Sequence, residues 1–215
     1  MIIGVTGLYC AGKNHVAQML EKRGLPVLDL DQLGYEAIRT ETAAIVRCFG
    51  KEVLGANGLV DRRLLGRQVF GRPRELAALE AIIHPVVNCL TGEWIDRQTV
   101  PCVINAALLH KSSGFARLDA VIVVKAPFLV RFFRAEKRDK LPPGEVFKRL
   151  QSQNNFPQYK TGTGKAQLFS CSADIYTIQN SGFSGSQRIL DRRMDAILER
   201  LRCEDSLPSS TRKLF

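Results

Sequence analysis

Near the N-terminus Gly7 and Gly12 bracket Leu8, Tyr9, Cys10 and Ala11, and Lys13, Asn14 and His15 follow directly. Glycines at this spacing let a backbone curl until successive N–H groups point at one anion, and a lysine after the second glycine reaches the outer phosphates of a nucleotide. The chemistry indicated is phosphate binding. The next position of the pattern calls for Ser or Thr, whose hydroxyl ligates the magnesium ion bridging the phosphates, but Asn14 stands there. A hard cation also accepts an amide oxygen, so Asn14 is the expected metal ligand, at a site expected to bind nucleotide while handling its metal differently. A further set of candidates is cationic: Arg134 and Arg138 lie four apart, on one face of a helix that also carries Arg131 and Lys137. Transfer of a phosphoryl group needs positive charge and exclusion of water together, which such a face supplies from a closing flap.

These residues need elements to position them. Ile2, Ile3 and Val5 form a short β-branched run before the loop, and Val16, Met19 and Leu20 follow at helical spacing after it. A G-x-x-x-x-G-K string arises by chance in roughly 5% of chains of this length. The order strand, glycine loop, helix is what separates a phosphate loop from that background. Residues 26–31, Pro-Val-Leu-Asp-Leu-Asp, read as a second strand that delivers Asp31 to the rim where an open parallel sheet gathers its ligands. Asp31 reads equally well as the N-cap of the helix expected over 32–39, and the two roles are compatible. Residues 32–97 are helix-rich, with a turn at 55–58, helical patterns on either side of Arg72-Pro73, and a stop or kink where Pro85 disfavours helical geometry at His84. Residues 100–109 and 120–124 are near-continuous apolar runs, the mark of strands covered on both faces, joined by a rim loop at 109–114. Further helices are expected over 128–138, up to 153 and over 187–202, with a flexible loop at 155–164 and a fifth strand at 175–178. Alternation of strands and helices makes the class α/β.

At 215 residues the chain suits one domain carrying insertions. No apolar run approaches the ~20 residues of a membrane span and no basic leader precedes the first strand, so a cytoplasmic protein is expected. The net charge of +10 is spread along the chain without interleaved aromatics, which fits small polyanionic substrates rather than nucleic acid. The basic tail with Arg212 and Lys213 is expected to be disordered. Six cysteines, Cys10, Cys48, Cys89, Cys102, Cys171 and Cys203, lack the paired spacing of a zinc site and read as reduced thiols. Helix-end electrostatics could lower the pKa of Cys10, but a small filler is the favoured reading.

The order of motifs resembles the dephospho-coenzyme A kinase family, within the nucleoside monophosphate kinase branch of P-loop proteins. The likeness is carried by the glycine loop, Val27-Leu-Asp-Leu-Asp31, Val60-Asp-Arg-Arg-Leu-Leu-Gly-Arg-Gln-Val-Phe70, Leu79-Glu-Ala-Ile-Ile-His-Pro85, Arg134-Ala-Glu-Lys-Arg-Asp139, Arg149-Leu-Gln-Ser-Gln153 and Ile178-Gln-Asn-Ser-Gly182. It implies a three-layer α/β/α fold around a five-stranded parallel sheet, with a core of residues 1–31, 98–137 and 166–202. A helical substrate-binding insertion would occupy 32–97, a lid 138–165 and a tail 203–215. It also implies ATP and Mg2+ as cofactors, dephospho-CoA as acceptor, and phosphorylation of the ribose 3′-hydroxyl as the last step of coenzyme A synthesis. By position, residues from Gly7 through His15 hold the ATP phosphates, Asp31 serves as base or orienter for the attacking hydroxyl, and Arg134 and Arg138 clamp the phosphates as the lid closes. Lys13, Asp31 and Arg138 are thus the expected catalytic set, and Asp31, His84 and Asn105 the acceptor contacts. Partners are small molecules only, with no nucleic acid and no membrane, and the protein is expected to be a monomer.

The chain departs from the family pattern at Asn14, at Tyr35 beside the second Asp in place of Arg, and at Asn105, Ala107 and Lys111 in place of Asp, Pro and Glu. Two rival readings rest on these positions: a catalytically weakened nucleotide- or CoA-binding protein, from Asn14 and Asn105, and a same-fold kinase with another acceptor, from Lys111 and Tyr35. From sequence alone, Asn14→Thr is expected to preserve or raise activity.

Overall fold

Strand residues with no polar face must be covered on both sides, and they set the centre of the fold. In the computed structural model, which describes residues 1–152, 173–182 and 186–205, β1 (Ile2–Gly7), β3 (Cys102–Asn105) and β4 (Ala120–Lys125) are buried along nearly their whole length. With β2 (Val27–Asp29) and β5 (Asp174–Gln179) they form a five-stranded sheet in the order β2-β3-β1-β4-β5. The pairs β1–β3, β1–β4 and β4–β5 are parallel, with Val5 opposite Asn105 and Gly7 opposite Val124. This register brings the ends of β1 and β3 to one edge. The loop expected at 155–164, the lid expected at 138–165 from residue 153 onward, Cys171 and the tail at 206–215 lie outside the described residues.

The chain divides into two compact units. The first holds β1, β3, β4 and β5 together with α1 (Lys13–Glu21), α6 (Phe128–Asp139), α7 (Pro143–Ser152) and α8 (Ser186–Asp205). Val16, Met19 and Leu20 of α1, and Leu190, Met194, Leu198 and Leu201 of α8, pack with Ile3, Val5, Ile122, Val124 and Ile178 in one core. Each such side chain fully removed from water stabilises the fold by about 2 kcal/mol. Arg23, just beyond α1, bonds Asp195 at 2.8 Å and Asp191 at 3.1 Å on α8.

The second unit, Leu28–Gln98 with Ser112–Gly114, is helical: α2 (Leu30–Thr40), α3 (Thr42–Phe49), α4 (Arg62–Val69) and α5 (Pro73–Asp96). Its own core comprises Ala37, Ile45, Val53, Val60, Leu65, Val69 and Ile83. Asp61 caps α4 through the Arg63 and Leu64 amides, and those bonds hold its carboxyl below the usual carboxylate range.

Several boundaries differ from the sequence expectations. The second strand stops at Asp29, and Leu30 and Asp31 already open α2. The cap of that helix is Asp29, whose Oδ1 accepts from the Asp31 N–H at 2.9 Å and the Gln32 N–H at 3.2 Å, so the capping alternative for Asp31 is overturned. The helix expected to stop at His84 continues through Pro85 to Asp96. A proline there forfeits only one backbone bond, to Ala81, and burial of Ile83, Thr91 and Ile95 along the same helix outweighs that loss. The third strand ends at Asn105, and the rim loop contains two 3₁₀ turns, Leu109–Lys111 and Ser113–Arg117. Among the described residues no helix is long and apolar enough to cross a membrane.

Removing the Asp29 cap by Asp29→Ala is expected to lower stability by about 1 kcal/mol. Urea denaturation measures this, and an unchanged midpoint would refute the capping assignment.

Candidate active site

Gly7 ends β1 because a Cβ there would lie 2.5 Å from the Val124 carbonyl oxygen. The chain then turns, with the Ala11 N–H donating to the Leu8 carbonyl at 2.9 Å, while Cys10 (φ 59°) and Gly12 (φ 96°) adopt left-handed backbone. Gly12 is the N-cap of α1, makes no side-chain cap bond, and is followed by a first turn free of acidic residues. A helix start without a side-chain cap presents its amides and partial positive charge to an anion, and the curled loop before it adds a concavity of the same polarity.

Curling the amides one way turns carbonyls the other way. The Ala11 carbonyl accepts from Asn180 Nδ2 at 3.0 Å and Arg134 Nη1 at 3.2 Å, and Arg134 Nη1 also lies 3.4 Å from the Cys10 carbonyl. Arg134 Nη2 donates in turn to Asn180 Oδ1 at 3.1 Å, so helix α6 and the end of β5 together hold the back of the loop. The fit leaves no room for side chains: a Cβ on Gly12 would meet Asn180 Nδ2 at 2.2 Å, and one on Gly182 would meet Arg134 Nη2 at 2.6 Å. At the loop's crest the Tyr9 hydroxyl donates to Asp139 Oδ2, and the Arg138 guanidinium sits 4.9 Å over the Tyr9 ring while bonding Asp139 at 2.7 Å.

Lys13, the first residue of α1, places its Nζ 3.0 Å from Asn14 Oδ1 and 3.5 Å from Asn105 Oδ1. Asn105 Nδ2 donates to the same Asn14 oxygen at 3.1 Å. That oxygen therefore faces an ammonium and an amide N–H, which together engage both of its lone pairs. A dication taking that oxygen would have to displace one of these donors and would be repelled by the neighbouring ammonium. The residues present do not fit a metal held by Asn14. Among the described residues no group of three or more His, Cys, Asp or Glu could hold a metal either.

The structure thus brings Lys13, Asn14 and Asn105 together, Arg134 to the loop carbonyls and Arg138 to Tyr9. Leu8 packs on the core, and His15 Nε2 pairs with Gln187 Oε1 at 2.9 Å. Asp31 stands in the first turn of α2 and His84 within α5, both in the helical unit. The sequence reading missed Asn180 and Asp139 as side chains that act on the loop. Arg131, carried on the same helix as Arg134 and Arg138, is 8% exposed and its charged form is disfavoured by burial. Burial likewise pushes the Cys10 thiol up, against a weaker downward pull from Arg138, Arg134 and Arg131.

The family model described as dephospho-CoA kinase matches residues 1–160. The chain belongs to the dephospho-CoA kinase family. It is 39% identical over 154 residues to the dephospho-CoA kinase of Thermus thermophilus, covering 71% of this chain and 75% of that protein. To that of Anaeromyxobacter dehalogenans it is 40% identical over 159 residues, with the same shares covered. Among solved structures, the Thermus thermophilus protein TT1252 superposes with a TM-score of 0.72 at 33% identity, over 94% of this chain and 97% of that one. The dephospho-CoA kinase from Campylobacter jejuni shares the fold, with a TM-score of 0.58 at 20% identity over 93% and 96% of the two chains. Membership of a kinase family implies ATP use.

Because burial outweighs the arginines, alkylation of Cys10 by iodoacetamide is expected to rise with pH through a midpoint above that of an ordinary exposed thiol. Saturating ATP is expected to slow it. Peptide mass spectrometry follows the rate at this residue, and a midpoint below that of an ordinary exposed thiol would show that the arginines dominate instead.

Proposed function

We propose that this chain transfers the γ-phosphoryl group of ATP to the ribose 3′-hydroxyl of dephospho-CoA, giving CoA and ADP. The observation that carries this reading is the curled loop before α1, its carbonyls held from behind and Lys13 at its mouth, in a member of a kinase family. Phosphoryl transfer asks for alignment and for positive charge on the equatorial oxygens more than for covalent help from the protein. The loop amides and the Lys13 ammonium supply that charge, and Arg138 adds to it from the end of α6. Asp31 receives the hydroxyl proton as the 3′-oxygen bonds to the γ-phosphorus and the bond from that phosphorus to the bridging oxygen of ADP breaks. A loose transition state keeps the proton on the hydroxyl until late, so an ordinary carboxylate suffices as acceptor.

Mg2+ is the proposed divalent companion of the ATP. The helical unit with His84 is the proposed seat of the acceptor, and a cytoplasmic monomer the proposed setting. Asn105 moves in this reading from the acceptor to the phosphate side, because its amide is spent on Asn14 and Lys13.

The purified protein with ATP, Mg2+ and dephospho-CoA is expected to release ADP and CoA in equal amounts. Adenosine and nucleoside monophosphates offered in its place should give far less ADP. Lys13→Ala and Asp31→Asn should each reduce kcat/KM by about 100-fold or more, with Asp31→Asn acting on kcat. ATP binding without turnover, or turnover only with another acceptor, would overturn the proposal.

A further inference from the structure

The two departures from the family pattern at the phosphate end, Asn14 and Asn105, are bonded to each other. Asn105 is the last residue of β3 and is 1% exposed. Asn14 lies in the first turn of α1, where its Oδ1 takes the Asn105 N–H at 3.1 Å and the Lys13 ammonium at 3.0 Å. The Asn105 Oδ1, 3.5 Å from the ammonium, is a second neutral acceptor on its other side. A hydroxyl at position 14 would be too short to receive the buried Asn105 N–H, and a carboxylate at position 105 would set two acceptors against each other across this gap. Asn14→Thr alone therefore takes a partner from the buried Asn105 amide, and Asn105→Asp alone turns the bond into a repulsion between two acceptors.

We infer that Asn14 and Asn105 form a coupled amide clamp that positions Lys13 for the nucleotide phosphates, and that this clamp gives the nucleotide's divalent cation no protein ligand. Neither amide carries charge, so the clamp orients the ammonium without neutralising it. Positive charge at the loop mouth then comes from Lys13, where a hydroxyl and carboxylate pair would lend it to a metal. On this inference Asn14→Thr alone weakens nucleotide binding, in place of the sequence-based expectation that it preserves or raises activity. The inference rests on the reading of this loop as a nucleotide site, and it concerns binding, which turnover does not enter.

The test is a double-mutant cycle of wild type, Asn14→Thr, Asn105→Asp and the double variant. Each is titrated calorimetrically with ATP, once in EDTA and once in Mg2+, with thermal unfolding as a check on the fold. Each single change should weaken ATP binding in Mg2+ by about tenfold. The double variant should bind ATP no more weakly than the weaker single variant, because all three variants lack the same hydrogen bond. Removing Mg2+ should cost wild type about threefold in affinity and the double variant about tenfold or more, since only the latter offers the cation ligands.

Single effects that multiply in the double variant, or an equal cost of Mg2+ removal in both proteins, would overturn the inference. Should a single variant fail to fold, the wild-type side-chain amide signals of Asn14 and Asn105 serve the same purpose. At saturating ATP they should be indifferent to Mg2+, and a large Mg2+-dependent shift of Asn14 would overturn the clamp. A wild type without affinity for ATP would bring down the nucleotide reading itself, an outcome distinct from normal binding with uncoupled variants.

Discussion

A backbone that offers its amides to an anion must dispose of its carbonyls, and this one obligation organises the sheet unit. The Cys10 and Ala11 carbonyls face Arg134 and Asn180, and those two side chains face each other. Asn180 is 7% exposed at the end of β5, so its amide is oriented by burial as well as by bonding. Loss of either partner would leave a buried acceptor with less than it needs, at a cost of about 1–3 kcal/mol. Gly12 and Gly182 follow from the same constraint, because any side chain at those positions would occupy the space of Asn180 or Arg134.

The front of the loop answers to electrostatics. The Lys13 ammonium stands at the helix start beside Asn14 and Asn105, while the Arg138 guanidinium lies over the Tyr9 ring and acts with Arg134 and Arg131 on Cys10. Asp139 limits that accumulation of charge by pairing with Arg138 and lying 3.9 Å from Arg149, while it holds the Tyr9 hydroxyl. Exposed pairs of this kind are worth little to stability, so their effect is on where the cations point. Arg131, deeper in α6, contributes to the local potential at a desolvation cost of its own.

Much of this was legible in the chain because periodicity and glycine spacing report directly on backbone geometry. The apolar run at 120–124 and the Gly7-to-Lys13 string translate into β4 and the loop with little loss. What escaped depends on contacts between residues far apart in sequence. Asn180 lies 169 positions from the carbonyl it holds, and nothing about a lone Asn at a strand end announces that. Asp31 qualified as a cap by residue type, but it is Asp29 whose extended backbone and carboxylate oxygen meet the Asp31 and Gln32 amides. Pro85 was misjudged for a related reason, since local preference indicated a stop and tertiary burial of α5 overrode it. Asn14 and Asn105 each read as a loss when taken alone, and their bond to one another makes them a single alteration.

The central claim is that the amides from Leu8 through Asn14 enclose a triphosphate. It is tested most directly by recording the backbone 15N–1H spectrum of the full chain during titration with ATP. The account predicts saturable, concerted shifts of the Gly12, Lys13 and Asn14 amides with a single dissociation constant, larger than any shift in α8. Those three amides remaining in place while ATP binds, or moving without saturation, would contradict it.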